Sequence, residues 1–188
     1  MVIIYLCQLF FLSCISVYTY WEDYTKQEQE RMLDTLPDNK ELKAVYLGEY
    51  TLTDDDRTNE LLKKLCILYN DNDRMFKFHL LNKILTNSDG ALGEMVSCYC
   101  LQFFNKNTNY VIKYFGRYNS IKEIYAYYIA AELYYEGIDV NKYKSTIIKE
   151  TKIKEKEMLK RFLSDVEKQY LSIKDRRDRS LIDLYLKN

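Results

Sequence analysis

The sequence predicts an all-α fold: antiparallel helical hairpins forming a small array or irregular bundle, in the manner of HEAT-like or TPR-like stacks, with a long C-terminal helix. Three observations predict it. Only five Gly and one Pro interrupt 188 residues, while Leu, Lys and Glu, which cost little in a helix, are abundant. Apolar residues recur at three- and four-residue spacing through most of the chain, the period of a helix that buries one face. Turn-forming clusters separate these stretches by only a few residues, and such short loops make neighbouring helices antiparallel.

Taken in order, Glu22 to Leu36 reads as a polar amphipathic helix stopped by Pro37, and Lys40 to Tyr50 as a second, ending near Gly48. Thr53 followed by Asp54-Asp55-Asp56 starts a third: the Thr53 hydroxyl can cap free amides while the carboxylates oppose the positive end of the helix dipole. This helix puts Leu61, Leu62, Leu65, Leu68 and Tyr69 on one face. Asn70-Asp71-Asn72-Asp73 caps the next, where Phe76, Leu80, Leu81 and Ile84 recur at helical spacing, and Asn87-Ser88-Asp89-Gly90 turns the chain again.

Leu92, Met95, Val96, Tyr99 and Phe103 form the clearest apolar stripe, ended by Asn105-Lys106-Asn107, and a shorter helix with Val111, Ile112, Tyr114 and Phe115 closes at Gly116. Ser120 begins another, carrying Ile121, Ile124, Tyr125, Tyr128, Ile129 and Leu133 and ending at Gly137. From Asp139 onward Met158, Leu159, Phe162, Val166, Tyr170 and Ile173 keep the period, giving one long helix with breaks expected near Thr151 and Asp175. The expected hairpins pair 54–70 with 72–86, 91–104 with 108–116, and 120–135 with the C-terminal helix. Units near 35 residues suit a HEAT-like or TPR-like solenoid, although the sequence signatures of those repeats are absent.

The first twenty residues, MVIIYLCQLFFLSCISVYTY, carry no charged side chain. Spanning a bilayer takes about 17 to 25 apolar residues, and a signal peptide has a shorter apolar centre of about 7 to 15, followed by a processing site. Phe11-Leu12-Ser13-Cys14 resembles the lipobox of bacterial lipoprotein signal peptides. In this sequence Phe11 stands where that class has Leu or another aliphatic residue, and the first basic residue is Lys26. The resemblance implies that Cys14 is lipidated and begins the mature protein. The chain then divides into a signal peptide over 1–13, a tether over 14–21 and a single all-helical domain over 22–188. An uncleaved anchor, an ordinary signal cleaved near Ser16 or Thr19, and a buried helix are the alternatives; all but the last export the body or hold it at a membrane.

Charge is balanced but unevenly spread: residues 15–73 hold 14 acidic and 7 basic side chains, residues 141–188 hold 8 and 14. In the last segment opposite charges alternate, as in Lys154-Glu155-Lys156-Glu157, which describes a solvated helix face rather than a nucleic-acid stripe. The lone histidine, His79, lies between Phe78 and Leu80 and reads as structural. It leaves no HExxH zinc site, and no paired CxxC replaces it. Cys66, Cys98 and Cys100 read as three buried small apolar residues, a disulfide from Cys66 to either of the others being the alternative. Gly90 and Gly93 lack P-loop spacing, and Asp71 and Asp73 lack the glycine and distal glutamate of a calcium loop. No cofactor, metal or nucleic acid is expected.

Tyrosine is the compositional oddity, at 19 residues. Tyr125, Tyr127, Tyr128, Tyr134 and Tyr135 crowd one helix over more than a single face, so some rings are expected at the surface, where tyrosine serves protein recognition. The function that follows is a non-enzymatic interaction module of the cell envelope, an immunity or assembly factor among its forms, with an unknown protein partner and a membrane attachment through the N-terminus. The alternatives are an envelope enzyme with a carboxylate pair drawn from Glu94, Glu123 and Glu132, and a membrane-tethered spacer whose tyrosine-rich helix is wholly packed.

Overall fold

The computed structural model describes residues 18–37, 40–151 and 154–186, with side chains through Asp178. Among them stand eight α-helices and no strand: α1 (Lys26–Thr35), α2 (Lys40–Leu47), α3 (Asp56–Leu65), α4 (Asp71–Asn87), α5 (Gly90–Arg117), α6 (Lys122–Tyr135), α7 (Val140–Glu150) and α8 (Lys156–Leu186). Short 3-10 turns precede α1 and α6, at Trp21–Asp23 and Asn119–Ile121. No described helix is long and apolar enough to cross a membrane. Lengths run from 8 to 31 residues, and the helices gather into an irregular bundle.

Side-chain caps set four of the eight described helix starts. The Thr25 hydroxyl accepts from the Glu28 amide while the Glu28 carboxylate accepts from the Thr25 amide, a reciprocal capping box on α1. Asn70 caps α4 by accepting from the Asp73 amide at 2.9 Å, and Asp139 caps α7 through the Lys142 amide at 2.7 Å. At α3 the cap is Asp55, not Thr53: its carboxylate accepts from the Thr58 amide at 2.7 Å, and the Thr53 hydroxyl donates to that carboxylate at 2.8 Å. Thr53 lies two residues before the extended N-cap position, so it orients the capping group instead of capping. The C-terminal region breaks near Thr151, between α7 and α8, but not near Asp175. Lys174 to Asp178 are exposed and contain no Gly or Pro, so nothing there ends a helix.

The two segments expected at 91–104 and 108–116 are one helix with a kink. Asn107 leaves helical geometry at φ −128°, ψ 28°, and the carbonyls freed by the break are taken up locally. Asn107 Nδ2 donates to the Phe103 carbonyl at 3.1 Å and Thr108 Oγ1 to the Phe104 carbonyl at 2.9 Å. The helix therefore bends without ending.

Helix α5 is the hub of the packing: α3, α4, α6 and α8 all contact it, and the most extensive single contact is α6 on α8. A run of rings ties them together. Phe78 of α4 stacks on Phe103 of α5 at 5.4 Å and meets Tyr110 and Tyr114 edge-on, while Phe162 of α8 packs against Phe104 and Phe115 at 5.1 and 5.0 Å. Thus the expected pairing of α6 with the C-terminal helix is present, whereas α3 and α4 each lean on α5 as well as on each other.

The N-terminal boundary moves. The tether assigned to residues 14–21 includes Tyr20 and Trp21, and both are 1% exposed. Trp21 packs against Phe76, Tyr46 and His79, and Tyr20 against Tyr110 and Tyr114. Polar contacts fasten the same segment to α5: the Tyr20 hydroxyl donates to the Tyr110 carbonyl, the Tyr110 hydroxyl to the Thr19 carbonyl, and Asp23 pairs with Arg117 at 3.1 Å. Large aromatic rings gain more from the core than a solvated linker could offer, so the domain begins by Tyr20. The signal peptide expected over 1–13, the expected lipidation of Cys14 and the expected tether as far as residue 17 lie outside the described residues.

Candidate functional site: a tyrosine-lined cleft on α5, α6 and α8

Helix α6 sorts its five tyrosines by angle. At 100° per residue, Tyr125 and Tyr128 fall with Ile129 and Leu133 toward the core, where they are 0% and 7% exposed. Their hydroxyls are used inside the fold, Tyr125 donating to Asn82 Oδ1 at 3.0 Å and Tyr128 to the Ser88 carbonyl at 3.0 Å. Both therefore belong to the core rather than to a surface. Tyr134 is half-buried against Tyr170 of α8, with ring centroids 5.8 Å apart. Tyr127 and Tyr135 are 43% and 49% exposed, so the helix is not wholly packed.

Tyr127, Ala131 and Tyr135 follow one another at four-residue steps, the two rings exposed and Ala131 buried between them. The small Ala131 between two rings leaves a depression. On one side it opens into a cleft of about 370 Å³ against Glu94 and Ser97 of α5, and on the other into one of about 220 Å³ against Ile173, Arg176 and Arg177 of α8. Arg177 donates to the Tyr135 hydroxyl at 3.0 Å and holds its guanidinium 5.5 Å over the same ring. Arg176 donates to the Ser172 carbonyl of its own helix at 3.3 Å. Both guanidiniums are exposed. Two rigid aromatic rings beside two planar forks of donors are the residue types that dominate binding energy at protein interfaces.

Two of the three candidate carboxylates, Glu123 and Glu132, do not face each other. Glu123 and Glu132 are nine residues apart on α6, about 180° around the axis, so they occupy opposite sides. Glu94 is exposed on the α5 wall, while Glu132 lies half-buried behind that wall and accepts from the Ser97 hydroxyl at 2.6 Å. Burial holds the Glu132 carboxyl above the ordinary range, the Ser97 bond opposing and Glu136 reinforcing the shift. The folded chain thus binds this proton more tightly than the unfolded chain. The resulting stability is full below the ordinary carboxylate pKa and is lost as pH rises through the folded value. Glu132→Gln is expected to match the parent protein's melting temperature near pH 4 and to exceed it near pH 8, in thermal melts at both pH values.

Elsewhere the reactive side chains have structural partners. Half-buried His79 Nδ1 is 2.8 Å from Glu22 Oε1, which also accepts from the Tyr114 hydroxyl. Cys66, Cys98 and Cys100 are free thiols. Burial pushes Cys66 and Cys98 up to about 11 and Cys100 well above its usual value, which keeps them as thiols at neutral pH. Cys66 Sγ donates to the Tyr99 carbonyl at 3.6 Å. Asp73 is not a cap either: it is buried beside Lys77 at 2.9 Å. Among the described residues no group of three or more His, Cys, Asp or Glu side chains is placed to hold a metal ion.

Sequence reasoning missed Arg176 and Arg177. Lys174 to Asp178 reads as a solvated face, and only the packing of α8 on α6 brings its arginines to Tyr135. Comparison with protein-family models, with curated proteins and with solved structures gives no match to the chain.

Proposed function

We propose that the protein is a non-enzymatic interaction module of the cell envelope, exported or lipid-anchored through its N-terminal segment, and that the Tyr127–Tyr135 stripe with Arg176 and Arg177 meets its protein partner. The exposure of Tyr127 and Tyr135 beside the α8 arginines carries the reading. It also weighs against a plain spacer, in which this helix would be packed all round. The uncharged run at residues 1–20 and the lipobox-like Phe11-Leu12-Ser13-Cys14 support the location. An immunity or assembly factor is a protein of this kind.

Photocrosslinking in cells tests both halves. A photoreactive phenylalanine at position 135 is expected to give a discrete adduct in the membrane fraction, and one at Glu60, exposed on α3, is expected to give none. Tyr127→Ala and Arg177→Glu should each weaken that adduct by about tenfold or more, the scale of a hot-spot residue. Metabolic lipid labelling should mark the parent chain and not Cys14→Ser. Identical adducts from positions 135 and 60 would remove the docking surface, and unchanged labelling of Cys14→Ser would remove the lipid anchor.

A further inference from the structure

A second cleft, beside α4, has a different chemistry. Helix α2 ends at Leu47, Gly48 turns the chain with a φ of +78°, and residues 51–53 return toward α4 without regular secondary structure. The gap between this return, α4 and the start of α5 measures about 270 Å³. Val45, Leu52, Leu80, Ile84 and Leu92 line it. Leu80 and Ile84, one turn apart on α4, are nearly fully buried and make the floor.

One cation lines this apolar cleft. Lys83 is exposed, and its Nζ sits 4.9 Å over the Tyr46 ring. Tyr50, another lining residue, carries the Arg57 guanidinium 4.6 Å over its face. Among the described residues neither Lys83 nor Arg57 has a carboxylate within ion-pair distance, unlike Lys63, Lys64 and Arg74 nearby in the sequence. Both charges rest on ring faces, an arrangement that an anion of better geometry displaces at little cost.

We infer that this cleft binds a small amphipathic carboxylate, its single short acyl chain on Leu80, Ile84 and Leu92 and its acid on Lys83. The volume is below the range of about 300–1,000 Å³ typical for drug-sized ligands, which selects one short chain over a two-chain lipid. The lone cation selects an acid over an alcohol of equal length.

The test is methyl NMR of the full chain in lipid nanodiscs, titrated with octanoate and separately with octanol. Signals of Leu80, Ile84 and Leu92 should shift saturably with octanoate, and at least fivefold more octanol should be needed. Lys83→Gln, a change at an exposed position, should erase that preference while leaving the octanol response unchanged. Leu92→Trp, which fills the cleft, should abolish both responses. Shifts that are absent or grow without saturating, or an octanoate preference that survives in Lys83→Gln, would overturn the assignment.

Discussion

Asp73→Ala is expected to destabilise the protein by about 3–5 kcal/mol, measured by denaturant unfolding of the full chain. Asp73 and Lys77 form an ion pair whose side chains are 0% and 1% exposed. Alanine would leave the Lys77 ammonium buried without its counter-charge. A typical domain holds only about 5–15 kcal/mol in total, so the loss is a large share of stability. Replacing both partners, as in Asp73→Leu with Lys77→Met, often costs nothing at buried ion pairs. Here it should still cost about 1–3 kcal/mol, because the pair also serves the backbone. Asp73 accepts from the Tyr69 amide at 3.1 Å and Lys77 donates to the Ile67 carbonyl, so the two side chains fasten the α3–α4 connection. A double variant as stable as the parent would show that the backbone contacts contribute nothing.

Trp21→Ala is expected to cost about 3–5 kcal/mol, the range for deleting a large buried ring, in thermal and denaturant melts followed by circular dichroism. Trp21 fills the space between Tyr46, Phe76 and His79, and its removal also loosens Glu22 from His79 and Asp23 from Arg117. Trp21→Phe should cost only about 1 kcal/mol. The ring loses area, but the buried Trp21 Nε1 has no hydrogen-bond partner, and phenylalanine removes that orphaned donor. Equal losses in the two variants would mean that the void at this position decides nothing.

What could be read beforehand followed from interactions that are short in sequence. The Asn70 cap, the turn at Gly90 and the apolar stripe from Leu92 to Phe103 depend on neighbours within one or two helical turns, and the structure has each of them. The kink at Asn107 was legible as a break but not as a bend. Whether a helix resumes depends on its two halves being buried against the same partners, and Val111, Ile112 and Phe115 are held in the core. Tyr20 and Trp21 were misplaced because the uncharged run read as one unit, while Tyr110 and Tyr114, the partners of Tyr20, are some ninety positions away, and Phe76 and His79, partners of Trp21, more than fifty. The tyrosines of α6 could be sorted in part: Tyr125 and Tyr128 share the apolar stripe with Ile121 and Ile129. The match of Tyr135 with Arg177 spans 42 positions and had no local trace.

Under the proposed export, the docking of the first described residues would also impose a timetable. A peptidase needs its target strand extended and free, yet the Thr19 carbonyl is held by Tyr110 and the next residue is sealed inside the protein. Once α4 and α5 have closed over Tyr20, a cut near Thr19 is shut off. Ordinary signal processing at that bond would have to finish while the body is still a nascent, unfolded chain, and any delay would leave the segment permanently attached.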